Sequence, residues 1–352
     1  MRRPRIAVVG TGWWAAAHHI PSLAGYDGAD LVALCDPERA RADELAARHA
    51  VPAVYADLDQ LLHAGGVDAV VIATPHSTHH RLARAALDAG LHVLVEKTMT
   101  TTAADAFDLV VAAEKAGLHL SVGYTYQHAA TAELARAAVQ QEIGDLVQVV
   151  AEFASGTESL FAAAGSGDEG DAVDAPHPVT YSARLGGGQA HTQLTHVLGM
   201  VCWATGREIA DVMAFVDHRG LEVDVDDVAA FRFTGGGTGV VASTGVAGEV
   251  GGIRHHVRYL GTRGTVEQDM LSARVVVRRA DGTHTVHEPG DDGRSTYRAG
   301  QPARAFADLV AGRGPNRSPG RPAAAAVACI EAVLESARSG RVASVEQLPP
   351  QT

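Results

Sequence analysis

The chain has 352 residues, 46% of them apolar and 20% charged, which is enough to bury two cores of ordinary size and too hydrophobic for a disordered chain. A formal charge of −12 repels phosphate backbones and anionic lipid surfaces, so neither a nucleic-acid nor a membrane role is expected. Cys35, Cys202 and Cys329 lie far apart with no CxxC spacing, which argues against a disulfide framework or a zinc knuckle.

The amino end, MRRPRIAVVG, stops its apolar run at Gly10, short of a signal-peptide core, and no run of about 18 apolar residues follows it. A cytoplasmic protein is the expectation. From Arg5 to about Tyr124, short β-branched runs alternate with Ala-rich helical stretches. RIAVVG, ADLVALCD, DAVVIAT, HVLVEK and HLSVGY read as buried strands. RARADELAARHA, HRLARAALDAG and AADAFDLVVAAEKAG read as the helices between them. The alternation predicts an α/β fold with a doubly wound parallel sheet over residues 1–124.

The first strand runs into Gly10-Thr11-Gly12-Trp13-Trp14-Ala15, a GxGxxA fingerprint in the strand-to-helix context that dinucleotides need. Gly10 permits the tight turn, Gly12 lets the backbone approach a pyrophosphate, and Ala15 lets helix and strand pack closely. Phosphate is then stabilised by the free N–H groups and the dipole of the helix amino terminus. The second strand ends at Asp36, placed to accept from the adenosine ribose hydroxyls and to repel the extra phosphate of NADP. NAD is therefore the expected cofactor, although Arg39 and Arg41 leave room for NADP. Trp13 and Trp14 are candidates to shield it. His76, His79 and His80 lack the spacing of a metal motif and read as a polar loop entering a helix, so no metal site is expected.

Past Tyr124 the texture changes. A helix around ATAELARAAVQQ precedes alternating strands such as DLVQVVAEF, DVMAFVDH, VAAFRFTG, GVVASTGV and HHVRYLGTRGTVEQD. Residues 125–352 are thus predicted to form a second, α+β domain with a large, mostly antiparallel sheet. Ser155 to Ser182 is rich in Gly, Ala and acids without periodicity and reads as a loop over the site. Gly186-Gly187-Gly188 then leads into a helical run, HTQLTHVLGMVCWATG, and AAAAVACIEAVLESARSG supplies a carboxyl-terminal helix.

With Gly10 to Asp36, ATPHSTHH at 73–80, VEKT at 95–98 and the GGG stretch on the page, the chain resembles the Gfo/Idh/MocA family of oxidoreductases. That resemblance implies a Rossmann domain, a second domain whose sheet mediates dimers or tetramers, and a small sugar or cyclitol substrate. Glu96-Lys97-Thr98 matches the family's EKP motif with Thr98 in place of proline, which makes Lys97 the catalytic lysine beside the nicotinamide and brings Glu96 into the cofactor site. Thr74 and Pro75 match the loop beside that ring, and His196 stands at the family's histidine position as general base. Thr192 occupies the place of the family's Asp, where a hydroxyl can orient an imidazole but cannot raise its pKa. Its expected partners are the substrate or His196. Tyr124, Tyr126, Gln127, Tyr181, Gln189 and His191 are the candidate substrate contacts. Two other functions remain open at this stage: an NAD-dependent glycosidase working by transient oxidation, and a non-catalytic dinucleotide-sensing protein.

Overall fold

The computed structural model describes residues 2–162, 178–247, 252–289 and 297–350. Its chain divides into two compact units: Met1–Thr100 with Ala104–His128 and Arg298–Arg321, and Thr101–Ala103 with Ala129–Tyr297 and Pro322–Thr352.

The first unit is built on strands β1 (Arg5–Val9), β2 (Asp30–Cys35), β3 (Ala53–Tyr55), β4 (Ala69–Ile72), β5 (His92–Val95) and β6 (Leu120–Val122). They pair in parallel in the order β3-β2-β1-β4-β5-β6, the doubly wound arrangement expected for RIAVVG and its successors. β4 is buried along its whole length because helices cover both faces of such a sheet. The intervening helices are α1 (Ile20–Ala24), α2 (Arg39–His49), α3 (Leu58–Ala64), α4 (His76–Asp88) and α5 (Ala103–Ala116). A helical segment of wide π-type turn, Ala15–His19, leads into α1. β3 and α3 are additions to the elements read from sequence.

One segment packs away from its neighbours in sequence. Residues 298–321, assigned above to the second domain, pack into the first unit. Phe306, Ala303, Ala307 and Leu309 share one core with Ile6, Val8, Ile20 and Leu34. The Tyr26 hydroxyl donates to Asp308 at 2.6 Å and the Ser22 hydroxyl to the Gly300 carbonyl at 2.8 Å. Burial of that apolar face, rather than chain order, decides where the segment belongs.

The second unit contains α6 (Ala130–Gln141), the short helices α7 (Glu158–Phe161) and α8 (Pro178–Tyr181), and α9 (Thr195–Thr205). Its strands are β7 (Leu146–Ala154), β8 (Ile209–Asp217), β9 (Asp226–Phe233), β10 (Thr238–Thr244), β11 (Arg254–Gly261), β12 (Gly264–Asp269), β13 (Arg274–Arg279), β14 (His284–His287) and β15 (Ala343–Ser344). Helix α10 (Gln301–Val310) belongs to the first unit, and most of α11 (Gly320–Ser339) to the second. The nine strands run β14-β13-β12-β11-β7-β10-β9-β8-β15, all antiparallel except the β7–β10 pair. This is the large, mostly antiparallel sheet that the alternating runs predict.

Alternation along β9 and β10 buries Phe231, Phe233 and Val241 on one face. Helix α9 is apolar all round and almost entirely buried. The other face leaves Phe215 71%, Val228 51% and Val240 41% exposed, with Phe215 and Val228 directly opposite each other across β8 and β9. Of the Ser155–Ser182 loop, residues 163–177 lie outside the described residues. Among the described residues no helix is long and apolar enough to cross a membrane.

Candidate active site

The carboxyl ends of β1, β2, β4 and β5 bring the predicted cofactor residues to one edge of the parallel sheet, where open α/β sheets bind ligands. Gly10 has φ +92°, and a Cβ there would lie 2.5 Å from the Ala73 carbonyl oxygen, so only glycine fits against the β4 turn. At Gly12 a Cβ would meet no atom within 4 Å. Packing therefore does not demand a glycine at that position; its missing side chain bares backbone at the start of a helix, as a pyrophosphate cradle requires. The Gly12 carbonyl accepts from the Ala16 N–H at 2.9 Å, which opens the first helical turn, and Ala15 is fully buried against the sheet. These residues fit the dinucleotide expected of them.

Asp36 ends β2 as predicted, and its carboxylate is gripped from three directions. Oδ2 accepts from the Thr11 N–H at 2.7 Å and the Thr11 hydroxyl at 2.9 Å. Oδ1 accepts from the Glu38 N–H at 2.8 Å, and the Arg41 guanidinium reaches both oxygens at 2.9 and 3.0 Å. Burial alone would raise the pKa of Asp36, but these donors together hold it below the usual carboxylate range. Thr11 and Arg41 thus brace the ribose-anchoring candidate, a role the sequence did not reveal for Thr11.

Glu96 and Lys97 follow β5. The Glu96 carboxylate points into the protein, where Oε1 accepts from the Trp14 indole N–H at 3.0 Å and lies 2.8 Å from His19 Nε2. Oε2 accepts from the Lys97 N–H at 3.1 Å. Gly123 passes so close to Glu96 that a Cβ there would collide with the carboxylate. Glu96 thus braces the turn that carries Lys97, and His19 is a partner that sequence reasoning missed. Burial tends to raise the Glu96 pKa, but His19 and Lys97 bring it below the ordinary value. Lys97 is half-buried, and loss of water around its ammonium lowers its pKa against the opposing pull of Glu96. The Lys97–Thr98 peptide bond is cis. Trp14 is tied to Glu96, whereas Trp13 is half-exposed and packs edge-on against Trp14 with ring centroids 5.2 Å apart.

The β4–α4 turn carries Thr74 and Pro75. The Thr74 and Thr78 hydroxyls are 2.7 Å apart, and Thr78 Oγ1 donates to the Pro75 carbonyl at 2.7 Å. His80 lies 3.4 Å from Asp105 and 2.9 Å from Asp108, so two carboxylates engage the third histidine of the HxxHH run. Tyr124, Tyr126 and Gln127 follow β6 in the first unit and are all buried.

In the second unit the GGG stretch is shaped by Asp224. Its Oδ2 accepts from the Ala190 N–H at 2.5 Å, and its Oδ1 occupies the space where a Gly188 Cβ would go. Asp227 lies fully buried nearby. Burial and then the Asp224 charge raise its pKa well above the ordinary value. His191 is pulled down by burial against the Asp224 carboxylate and the Gly187 and Thr101 carbonyls. Gln189, expected to touch substrate, is fully buried. It donates to the Ser243 hydroxyl on β10 at 2.8 Å and accepts from Thr157, just before α7, at 3.3 Å. Thr192 donates its hydroxyl to the Gly188 carbonyl at 2.7 Å, one turn back. Tyr181 is partly exposed at the end of α8.

His196, on α9, is nearly parallel to the Phe153 ring, at 10° and 5.6 Å between centroids. Phe153 in turn stacks on His255 at 3.6 Å. Burial pushes His255 down to about 4, against the pull of Asp269, so it is neutral at neutral pH. The candidate base thus rests on an aromatic shelf of β7 and β11 that fixes its ring plane.

The profile of an oxidoreductase family with an NAD-binding Rossmann fold matches residues 4–124, and the C-terminal domain profile of the same family matches residues 131–267. The chain belongs to the Gfo/Idh/MocA family. Its first unit is accordingly an NAD-binding Rossmann domain. A curated family relative, the dTDP-3,4-didehydro-2,6-dideoxy-alpha-D-glucose 3-reductase of Saccharopolyspora spinosa, is 34% identical over 155 residues, 44% of this chain and 46% of that protein. Inositol 2-dehydrogenase 1 of Saccharopolyspora erythraea is 42% identical over 107 residues, 30% of this chain and 32% of that protein. The chain thus spans less than half the length of the curated relatives it matches. Its fold is shared end to end with the WlbA dehydrogenase of Bordetella pertussis, solved with NADH and UDP-GlcNAcA. The TM-score is 0.75 and the identity 24%, over 98% of this chain and 99% of that one.

Proposed function

We propose that the chain is an NAD(H)-dependent dehydrogenase or ketoreductase. It moves a hydride to or from a secondary alcohol or ketone carbon of a sugar, a cyclitol or a glycosylated intermediate of the amino-sugar kind. The observation that carries this reading is the open backbone at Gly12, on the same sheet edge as Asp36 and Lys97. Gly10, Gly12 and Ala15 would cradle the pyrophosphate, Asp36 the ribose, and Thr74 and Pro75 would border the nicotinamide. Bound there, the nicotinamide supplies the hydride acceptor or donor. Lys97 holds the reacting oxygen through its ammonium, whose lowered pKa eases transfer of a proton. His196 takes or returns the hydroxyl proton with its ring plane fixed by Phe153. A sugar-type substrate is favoured by the activities for which the two Saccharopolyspora relatives are named.

The test is a panel of sugars, nucleotide sugars, cyclitols and aminoglycosides offered with NAD+ and followed at the absorbance of reduced nicotinamide. At least one member should give net NADH. Glycoside cleavage with no net NADH would move the function to a transient-oxidation hydrolase, and NAD+ binding without any turnover would make the chain a sensor.

The open apolar face of the nine-stranded sheet, centred on Phe215, Val228 and Val240, supports a homodimer or homotetramer. Phe215→Glu should weaken self-association by about tenfold or more, because it sets a charge at the middle of that patch. Light scattering after gel filtration reads this directly, and a monomeric wild type would remove the proposal.

A further inference from the structure

His79 is fully buried on α4, and each of its ring nitrogens faces a backbone carbonyl oxygen. Nδ1 is 2.8 Å from the Thr98 oxygen and Nε2 is 2.8 Å from the Thr74 oxygen. Those carbonyls belong to the two turns assigned above to the nicotinamide end of the cofactor, one after β4 and the other carrying Lys97. The Thr74 turn is also the surface on which Gly10 closes. One imidazole therefore joins the glycine turn, the Thr74–Pro75 turn and the lysine turn.

Proton counting makes this more than packing. A neutral imidazole has one N–H, so it can donate to Thr74 or to Thr98 and must present a lone pair to the other oxygen. Only the doubly protonated ring bonds both. The titratable groups around it are few: Glu96 from the β5 turn, with Lys97 beside Glu96, and His76 on α4 itself with ring centroids 5.6 Å apart. The β4 turn contributes only its carbonyl. Burial lowers the pKa of His79, while the Thr98 and Thr74 carbonyls and the Glu96 carboxylate oppose that effect.

We propose that His79 is a positioning residue for the cofactor and Lys97, and that NAD+ binding draws a proton onto its ring so that both turns are held at once. The inference rests on the cofactor assignment made above. No part of it requires His79 to touch the cofactor or the substrate.

Calorimetric titration of the full chain with NAD+ tests it. Run at one pH near 6.5 in buffers of different ionisation heat, wild type should take up a measurable fraction of a proton per NAD+ bound. Its affinity should rise as pH falls from about 8 to about 5.5, by at most about tenfold per unit for one coupled proton. His79→Gln, whose amide donates only from its nitrogen and cannot titrate, should bind NAD+ with no pH slope and no proton uptake. His79→Leu, with neither a donor nor a titrating group, should also lack the pH slope, and its deficit against wild type should be largest, about tenfold or more, at the acid end of the range. Absence of proton uptake in the wild type would overturn the proposal whether or not either variant folds. An unchanged slope in His79→Gln would overturn it as well. A wild type that binds no NAD+ at any pH would overturn the cofactor assignment first, and the His79 proposal with it.

Discussion

Lys97→Met should lower turnover by about a thousandfold on any substrate the wild type oxidises or reduces, the scale expected when a charged donor to the reacting oxygen is lost. Methionine keeps the unbranched stem and its packing while removing the ammonium, so folding should survive. The Lys97 N–H bond to Glu96 is a backbone contact and is retained. Affinity for NAD+ should stay within about threefold, because a group that acts on developing alkoxide contributes little to the bound ground state. Steady-state rates at the reduced-nicotinamide band, paired with calorimetric NAD+ titration, separate the two effects. Turnover within tenfold of wild type would remove Lys97 from the chemistry.

Asp36→Ala should do the opposite, weakening NAD+ by about thirtyfold or more, since hydrogen bonds to a charged acceptor contribute roughly 1.5–3 kcal/mol. The structure adds two consequences that the fingerprint alone does not suggest. First, the substitution strips the acceptor from Thr11, Glu38 and Arg41, so stability should fall by roughly 1–3 kcal/mol. Because the folded pKa of Asp36 is depressed, its contribution is fully present above the unfolded carboxylate value of about 4 and is lost as pH falls through the folded value. The acid limb of the wild-type melting profile should therefore be steeper than that of the variant. Second, Arg41 is released beside the ribose position, where a guanidinium can pair with a 2′-phosphate, so the ratio of NADP+ to NAD+ affinity should rise. Parallel titrations with the two cofactors measure it, and an unchanged ratio would show that Arg41 does not reach the ribose.

How much of this was legible in the residues follows from the range over which each feature is encoded. The parallel strands, α2, α4, α5, α6, α9 and α11 are local: apolar runs and a 3.6-residue period within one segment decide them. β3, at three residues, and α3, at seven, are too short to carry such a period. Gly10 and Gly12 were readable because a turn and a bare backbone have one suitable residue. The grip of Thr11 and Arg41 on Asp36, and the bracket of Glu96, Trp14 and His19, were not, since they join positions brought together only by the finished sheet. The hydrogen bonds of Gln189 to Ser243 and of Thr192 to the Gly188 carbonyl likewise depend on the folded chain.

The return of α10 to the first unit bears on how the polypeptide emerges from the ribosome. Phe306, Ala303 and Leu309 complete a core whose other members, Ile6, Ile20 and Leu34, are translated some three hundred residues earlier. Until residues 301–310 are made, the nucleotide-binding unit lacks the helix that fills this apolar core. The two halves therefore cannot mature in the order they are synthesised: the second sheet is complete but for its terminal strand before the first unit can close. A nascent chain stalled at about residue 124 should therefore expose apolar surface that α10 covers in the finished unit.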